Sequence, residues 1–390
     1  MPMPIPTVYG VPVIDIDSHY TEPRDLWTSR APASYKDRVP NVVMGDEGKE
    51  HWVVDGDIDF GPLGFTVVRK DGSKKYGALS LDSFEEMSDA ASEPKARVAL
   101  LDELGLAQTI LYPNVGGFAS NGFMKIQDDK LRILTSTIYN DAAADLQAAG
   151  ENRIFPQAVV PYWDIPAAIK ELHRIKDLGL TGITMCDTPE FLGLPYLHEP
   201  HWDPFWKTCE ELEIPINFHI GAGGDIVSKI LWKGYTPQRR LAANSVSLFI
   251  VQFRTVMNLI FSGLLERYPT LKFVSVESGI GWIPFVLEAM EWQFDETMPD
   301  EREGLSLRPK EYFKRQIYAS FWFESFGPRI AIPEIGEDNV MFEVDFPHPT
   351  CLYPQTEAHV TEVLKDVDPR IRRKVLHDNA AKLYKLPEIS

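Results

Sequence analysis

"VIDIDSHY", Val13 to Tyr20, begins as a core strand and ends in charge. The β-branched residues Val13, Ile14 and Ile16 suit a buried strand. Alternate side chains of a strand share a face. Val13, Asp15, Asp17 and His19 are therefore expected on one side, and Ile14, Ile16 and Ser18 on the other. Two carboxylates and an imidazole on one face of a core strand are costly without a partner. The stretch predicts a strand whose far end delivers polar groups to a site.

The same rhythm continues along the chain. Apolar runs that read as strands are "AQTILYP", "RIFPQAVVPYW", "TGITMCD", "IPINFHIG", "LKFVSVES", "QIYASFW" and "NVMFEVDFP". Helix patterns lie between most of them, including "EPKARVALLDELG", "LTSTIYNDAAADLQAAG", "IPAAIKELHRIKDLG", "DPFWKTCEELE" and "IPFVLEAMEWQFDE". Strand and helix alternating about eight times predicts parallel strands with crossover helices, an α/β chain closed as a TIM (β/α)8 barrel. Neither G-x-x-x-x-G-K nor G-x-G-x-x-G follows an early strand, which disfavours an open nucleotide-binding sheet. Residues 1–390 read as one barrel domain. Residues 28–95 break the rhythm with "HWVVDGDIDF" and "GFTVVRKDGSKKYGAL", and read as a β-rich insertion after strand one. A second, partly helical excursion spans residues 222–255.

Composition narrows the function classes. A net charge of -18 disfavours nucleic acid and anionic membrane surfaces as partners. The three cysteines, Cys186, Cys209 and Cys351, form no C-x-x-C pair, so a disulfide framework is not expected. No basic region followed by an apolar core opens the chain, and no run reads as a membrane span. These features lead to an expected cytoplasmic location.

In a barrel, catalytic groups sit at the C-terminal ends of strands. Strand one ends in Asp17-Ser18-His19, strand five in His219, strand six in Glu277, and strand eight in Asp345 with His348 beyond. Alone, each has an ordinary reading: a strand-end Asp caps a helix, and a histidine in an apolar strand is a hydrogen-bonded core residue. Stability does not require these types on four strands together. Carboxylates and neutral imidazoles converging on one rim suit a divalent ion such as Zn²⁺, Mn²⁺ or Fe²⁺. Aromatic residues near strand ends, Trp163 and Trp282 among them, would suit a flat apolar small molecule. Arg254 is a candidate carboxylate anchor, and His348 a candidate substrate contact.

These residues also carry a resemblance. The chain resembles the amidohydrolase superfamily, in the branch that contains the aminocarboxymuconate semialdehyde and γ-resorcylate decarboxylases. Asp17-Ser18-His19 stands where the superfamily has H-x-H and the resorcylate-type enzymes E-x-H. "NFHIGAGG", "YPTLKFVSVESGIGWIPFVLE", "VDFPHPT" and "HDNAAKLYKL" match further segments, so the likeness spans about residues 12–387. The resemblance implies Asp17, His19, His219 and Asp345 as ligands of one metal ion, Zn²⁺ first. It also implies Asp345 as a base and, weakly, a homodimer. Glu277 stands where the named decarboxylases have histidine, and strand four ends in Asp187 without a lysine that could bridge two metals. Asp345 and Glu277 are the expected catalytic groups. The expected reaction is decarboxylation of an aromatic or unsaturated acid. Hydrolysis of a C–N or C–O bond and an inactive binding scaffold are the alternatives.

Overall fold

The computed structural model describes residues 5–45, 48–223 and 232–389. Strand β1 (Val13–His19) opens the barrel and is buried along its whole length. Strands β2 (Asn41–Met44), β3 (Glu50–Val54) and β4 (Ile58–Pro62) form a separate antiparallel sheet. The barrel resumes with β5 (Leu106–Tyr112), then β6 (Ile154–Pro156) and β7 (Ala158–Val159), one strand interrupted at Gln157. It continues through β8 (Ile183–Thr184), β9 (Ile216–His219), β10 (Phe273–Val276), β11 (Ile317–Phe321) and β12 (Val340–Phe342).

Barrel neighbours pair in parallel, β1 with β5, β5 with β6, and β7 through β12 in sequence order. Beyond β12 the chain closes the ring. The Asp345 N–H donates to the Asp17 carbonyl at 2.6 Å, and the His19 N–H donates to the Phe346 carbonyl at 2.6 Å. The (β/α)8 barrel expected from the alternation is the fold. Its crossovers carry α1 (Pro94–Leu104), α2 (Asp129–Ala149), α3 (Ile165–Asp177) and α4 (Asp203–Glu211). They continue with α5 (Pro237–Phe261), α6 (Leu264–Arg267), α7 (Ile283–Glu296), α8 (Pro309–Gln316) and α9 (Gly327–Ile335). Local signals set helix ends: Asp128 and Asp164 cap α2 and α3 through their side chains, and Gly105 at φ 74 stops α1.

Inside the barrel Ile14 and Ile16 pack with Ile110, Phe155, Val274, Val276 and Met341. The C-terminal helix α12 (Asn379–Tyr384), reached through α10 (Thr356–Val363) and α11 (Pro369–Arg373), adds Ala380, Leu383 and Tyr384 to this cluster. This corrects the strict alternation expected for β1. The β1–β5 register shifts between Asp15 and Ser18. This bulge turns Asp17 inward after Ile16, while Asp15 stays on the opposite face. There the Asp15 carboxylate accepts from the Asp17 and Val344 N–H groups at 3.1 and 2.8 Å, and from the Ser18 and Thr109 hydroxyls at 2.6 Å each. One buried side chain thus joins β1, β5 and the segment after β12.

Within residues 28–95 regular strand is confined to β2–β4. The second stretch read as β-rich, "GFTVVRKDGSKKYGAL", makes only the isolated bridges Val68–Lys74 and Arg69–Met87. Its backbone is drawn sideways onto the loop after β12, where the Val67 N–H donates to the Pro347 carbonyl at 3.0 Å. Part of the 222–255 excursion, residues 224–231, lies outside the described residues, and the rest leads into α5. Contrary to the reading that no run resembles a membrane span, the best window of α5 reaches a mean hydropathy of 1.2, and 39% of it is buried. The helix is tied to the barrel: Gln252 donates to the Phe218 carbonyl at 3.1 Å, and Thr255 to Asp187 at 2.6 Å.

The Asp15 clamp sets an expectation. Asp15→Ala strands four donors in the core and costs about 3 kcal/mol or more of unfolding free energy, whereas Thr109→Val costs about 1 kcal/mol. Chemical denaturation of the three proteins measures both, and a loss below about 1 kcal/mol for Asp15→Ala would show that the clamp is dispensable.

Candidate metal centre

Four strands bring their C-terminal residues to one point. His19 Nε2 and His219 Nε2 face each other at 3.1 Å. Asp17 Oδ1 lies 3.5 Å from His19 Nε2 and 3.3 Å from His219 Nε2. Asp345 Oδ1 stands 3.5 Å from His19 Nε2, and Glu277 Oε2 stands 3.6 Å from His219 Nε2. His348 Nδ1 is 3.0 Å from Asp345 Oδ1, and its ring stacks on His19 with centroids 3.5 Å apart. The sequence-derived set Asp17, His19, His219, Asp345, Glu277 and His348 is therefore gathered in one place.

The cluster fits a cation. Both oxygens of Asp17 and Oδ1 of Asp345 are buried without a hydrogen-bond donor. The His219 Nδ1–H is directed at the Ile220 carbonyl at 2.7 Å, which turns the Nε2 lone pair toward His19. Burial holds His219 down to about 3 and His19 well below the ordinary imidazole range, so both rings present lone pairs. Two lone pairs and several carboxylates face one another, a donor set of the kind that a divalent cation satisfies. Ligand atoms that share one Zn²⁺-sized ion at about 2.1 Å stand about 3–3.5 Å apart, the spacing seen here. Burial, followed by the neighbouring carboxylates, pushes Asp17 and Glu277 well above the usual carboxylate range.

The supports beneath the cluster include residues that strand-end reasoning missed. Glu343 is fully buried one step before Val344, and its Oε2 accepts the Glu277 N–H at 3.0 Å. Alternation with Met341 in "MFEVD" was the available signal. Glu277 and Asp345 both sit at left-handed φ, 52 and 64. Glu22 is buried at the end of the β1 loop and accepts the N–H groups of Asn114 and Val115 at 2.9 and 3.1 Å. Asn114 Oδ1 in turn meets His348 Nε2 at 2.9 Å. No local pattern links Glu22 to Asn114, because the contact spans 92 positions.

A cavity of about 540 Å³ opens over the cluster, with Glu277, His348, Phe118 and Thr350 in its wall. His348 is placed where a substrate contact was expected. The other three expected substrate contacts lie outside this wall. Arg254 is paired with Glu190 at 2.5 Å and covers Phe191. Trp163 packs against Tyr162 and under Arg132. Trp282 donates to the Ser278 carbonyl at 2.8 Å and packs near Phe253. Each is held by its own loop or helix contacts, and the aromatic wall comes instead from Phe65, Phe118, Phe249 and Trp322.

Residues 15–386 match the family model described as amidohydrolase. The chain belongs to that family. A gamma-resorcylate decarboxylase of Polaromonas sp. is 26% identical over 305 residues, covering 74% of this chain and 86% of the relative. An amidohydrolase from Mycobacterium avium subsp. paratuberculosis shares the fold with a TM-score of 0.73 at 20% identity, covering 96% of this chain and 98% of that one. A dihydroxybenzoic acid decarboxylase from Polaromonas sp., solved with bound manganese and the inhibitor 2-nitroresorcinol, has a TM-score of 0.59 at 22% identity. That match covers 74% of this chain and 85% of the other.

Glu22 makes stability depend on pH. Burial raises its carboxyl from 4.5 to about 7. Between those values the folded chain binds a proton that the unfolded chain has lost, so this group's contribution falls as pH rises through the window and is flat above it. Glu22→Gln keeps an acceptor for the two N–H groups and has no such proton. Its stability relative to wild type is expected to improve between about pH 5 and about pH 8, as read from unfolding free energies. A pH-independent difference would remove Glu22 from the pH response.

Proposed function

We propose that this member of the amidohydrolase family is a metal-dependent carboxy-lyase that removes CO₂ from an aromatic or unsaturated carboxylic acid. The observation that carries the reading is the 3.1 Å approach of two neutral imidazoles beside the donorless Asp17 carboxylate and Asp345 Oδ1. Those four residues would hold the ion. A divalent ion in that position supplies a Lewis acid for the substrate carboxylate and an adjacent oxygen. Two imidazoles with two carboxylates suit Zn²⁺, our first choice, and equally Mn²⁺, the ion named with the Polaromonas structure. The decarboxylase names among the relatives support the reaction class.

Glu277 lines the cavity, and burial, followed by the neighbouring Asp345 and Glu343, raises its carboxyl well above the usual range, which favours the protonated acid. In this reading Glu277 gives that proton to the carbon that carries the leaving carboxylate. The electron pair of the broken C–C bond then becomes the new C–H bond, and CO₂ departs. The hydrogen bond from the Glu277 N–H to Glu343 Oε2 holds Glu277 in place. His348, fixed between Asp345 and Asn114, borders the same space.

One residue favours a second reading. A carboxylate on strand six, where the decarboxylases that the sequence resembles have histidine, suits hydrolysis of an amide, ester or lactone, with Asp345 as the base. The assembly we propose is a homodimer, which sedimentation checks directly.

Metal analysis of the purified protein is expected to find one divalent ion per chain, and His219→Ala is expected to lose it. With Zn²⁺ or Mn²⁺ loaded, hydroxybenzoic acids should release CO₂ while a panel of amides, esters and lactones is untouched. Turnover in the second panel alone would replace the lyase reading with the hydrolase one. Glu277→Gln should keep its metal and lose turnover about 100-fold or more, and full activity in that variant would exclude Glu277 from the chemistry.

A further inference from the structure

Among the described residues, the cavity wall contains one cation. Lys74 is the only Lys or Arg in its described lining, alongside Glu277, His348 and Thr350. It lies in a basic stretch, and its neighbours there are neutralised. Arg69 is near Glu86 at 3.8 Å, Lys70 near Asp89 at 3.5 Å, and Lys75 near Asp82 at 2.9 Å. Among the described residues, Lys74 has no carboxylate within ion-pair distance. Its ammonium donates to the Cys351 carbonyl at 2.9 Å, which uses one of its three donors.

The backbone fixes this lysine relative to the site. Lys74 bridges Val68, and Val67 donates to the Pro347 carbonyl, next to His348. Cys351 follows Thr350, whose hydroxyl donates to Asp345 Oδ2 at 3.0 Å. Lys74 is therefore tied at two points to the loop that carries Asp345.

Charge balance gives it a task. Asp17 and Asp345 as carboxylates balance one divalent ion, and Glu277 as the acid adds no positive charge, so the negative charge of an anionic substrate is not offset by the centre itself. Such a substrate needs a further positive charge close by. Apart from Ser245, whose hydroxyl donates to the Leu241 carbonyl, the remaining wall is apolar, with Leu241, Val246 and Phe249 of α5 together with Trp322 and Phe323.

We propose that Lys74 is the counter-charge for an anionic group of the substrate, and that the cavity selects organic anions with an apolar body over their neutral analogues. This rests on the reading that the cavity over the metal centre binds substrate. It names a recognition residue that lies on the segment after β4 and outside the ligand set.

The test is binding to the metal-loaded protein, so it does not depend on turnover. Dissociation constants are measured by calorimetry for single-ring hydroxybenzoates and for hydroxynaphthoates, each paired with its primary amide. Wild type is expected to prefer each acid over its amide by about tenfold or more. Lys74→Gln should narrow that preference about tenfold, the part supplied by the metal remaining, with amide affinity unchanged, and Lys74→Arg should restore most of it. In any acid that turns over, the Lys74→Gln effect should fall mainly on KM. Equal preference in Lys74→Gln and wild type overturns the proposal, as does failure of every acid to bind wild type at millimolar concentration. A purely structural Lys74 would lower the unfolding temperature and weaken acid and amide together, which also overturns it. Lys74-dependent acid binding without CO₂ release would sink the decarboxylation reading alone. CO₂ release unaffected by Lys74→Gln would sink this inference alone.

Discussion

The hydrogen bond from the Asp345 N–H to the Asp17 carbonyl closes the barrel, and the same two residues bring carboxylates to the candidate metal centre, each in one of two overlapping groups that share His19 and Glu277. First strand and last segment meet where the chemistry is placed. The His19 N–H to Phe346 bond repeats the arrangement one step further on. Ring closure and ligand geometry are therefore one constraint. A shift of the β1 register that opened the seam would also separate Asp17 from Asp345, and no other described strand pair holds both functions.

The seam needs internal support because its polar groups are buried. Asp15 provides that support on the outer face of β1, where it collects two N–H groups and two hydroxyls from three parts of the ring. Glu343 does so from the inside by accepting the Glu277 N–H. Glu277 and Asp345 both stand on left-handed backbone, a conformation that non-glycine residues adopt mainly where surrounding contacts hold it. Those contacts orient Glu277 and Asp345 toward one point, and an ion at that point would relieve the repulsion that burial intensifies.

Much of this was legible in the chain. Alternation of apolar runs with amphipathic helices predicted the barrel, and polar residues at strand ends predicted Asp17, His19, His219, Glu277 and Asp345 as a group. The failures have physical causes. The β1 bulge overrode the period of two, so Asp15 lies opposite Asp17 although alternation put them together. Trp163, Trp282 and Arg254 look like ligand contacts by type and position, yet each is held by local packing or pairing. Glu22 and Lys74 carried no signal, because their relevance depends on which distant loop they meet.

By itself the sequence determined the periodicities, the helix caps and the residue types at strand ends, since these depend on neighbours a few positions apart. Only the tertiary structure decided that two imidazoles face each other at 3.1 Å, that Glu343 lies under Glu277, and that Lys74 reaches the same cavity. Those facts depend on ring closure and on contacts between residues up to hundreds of positions apart, and no local pattern encodes such a distance.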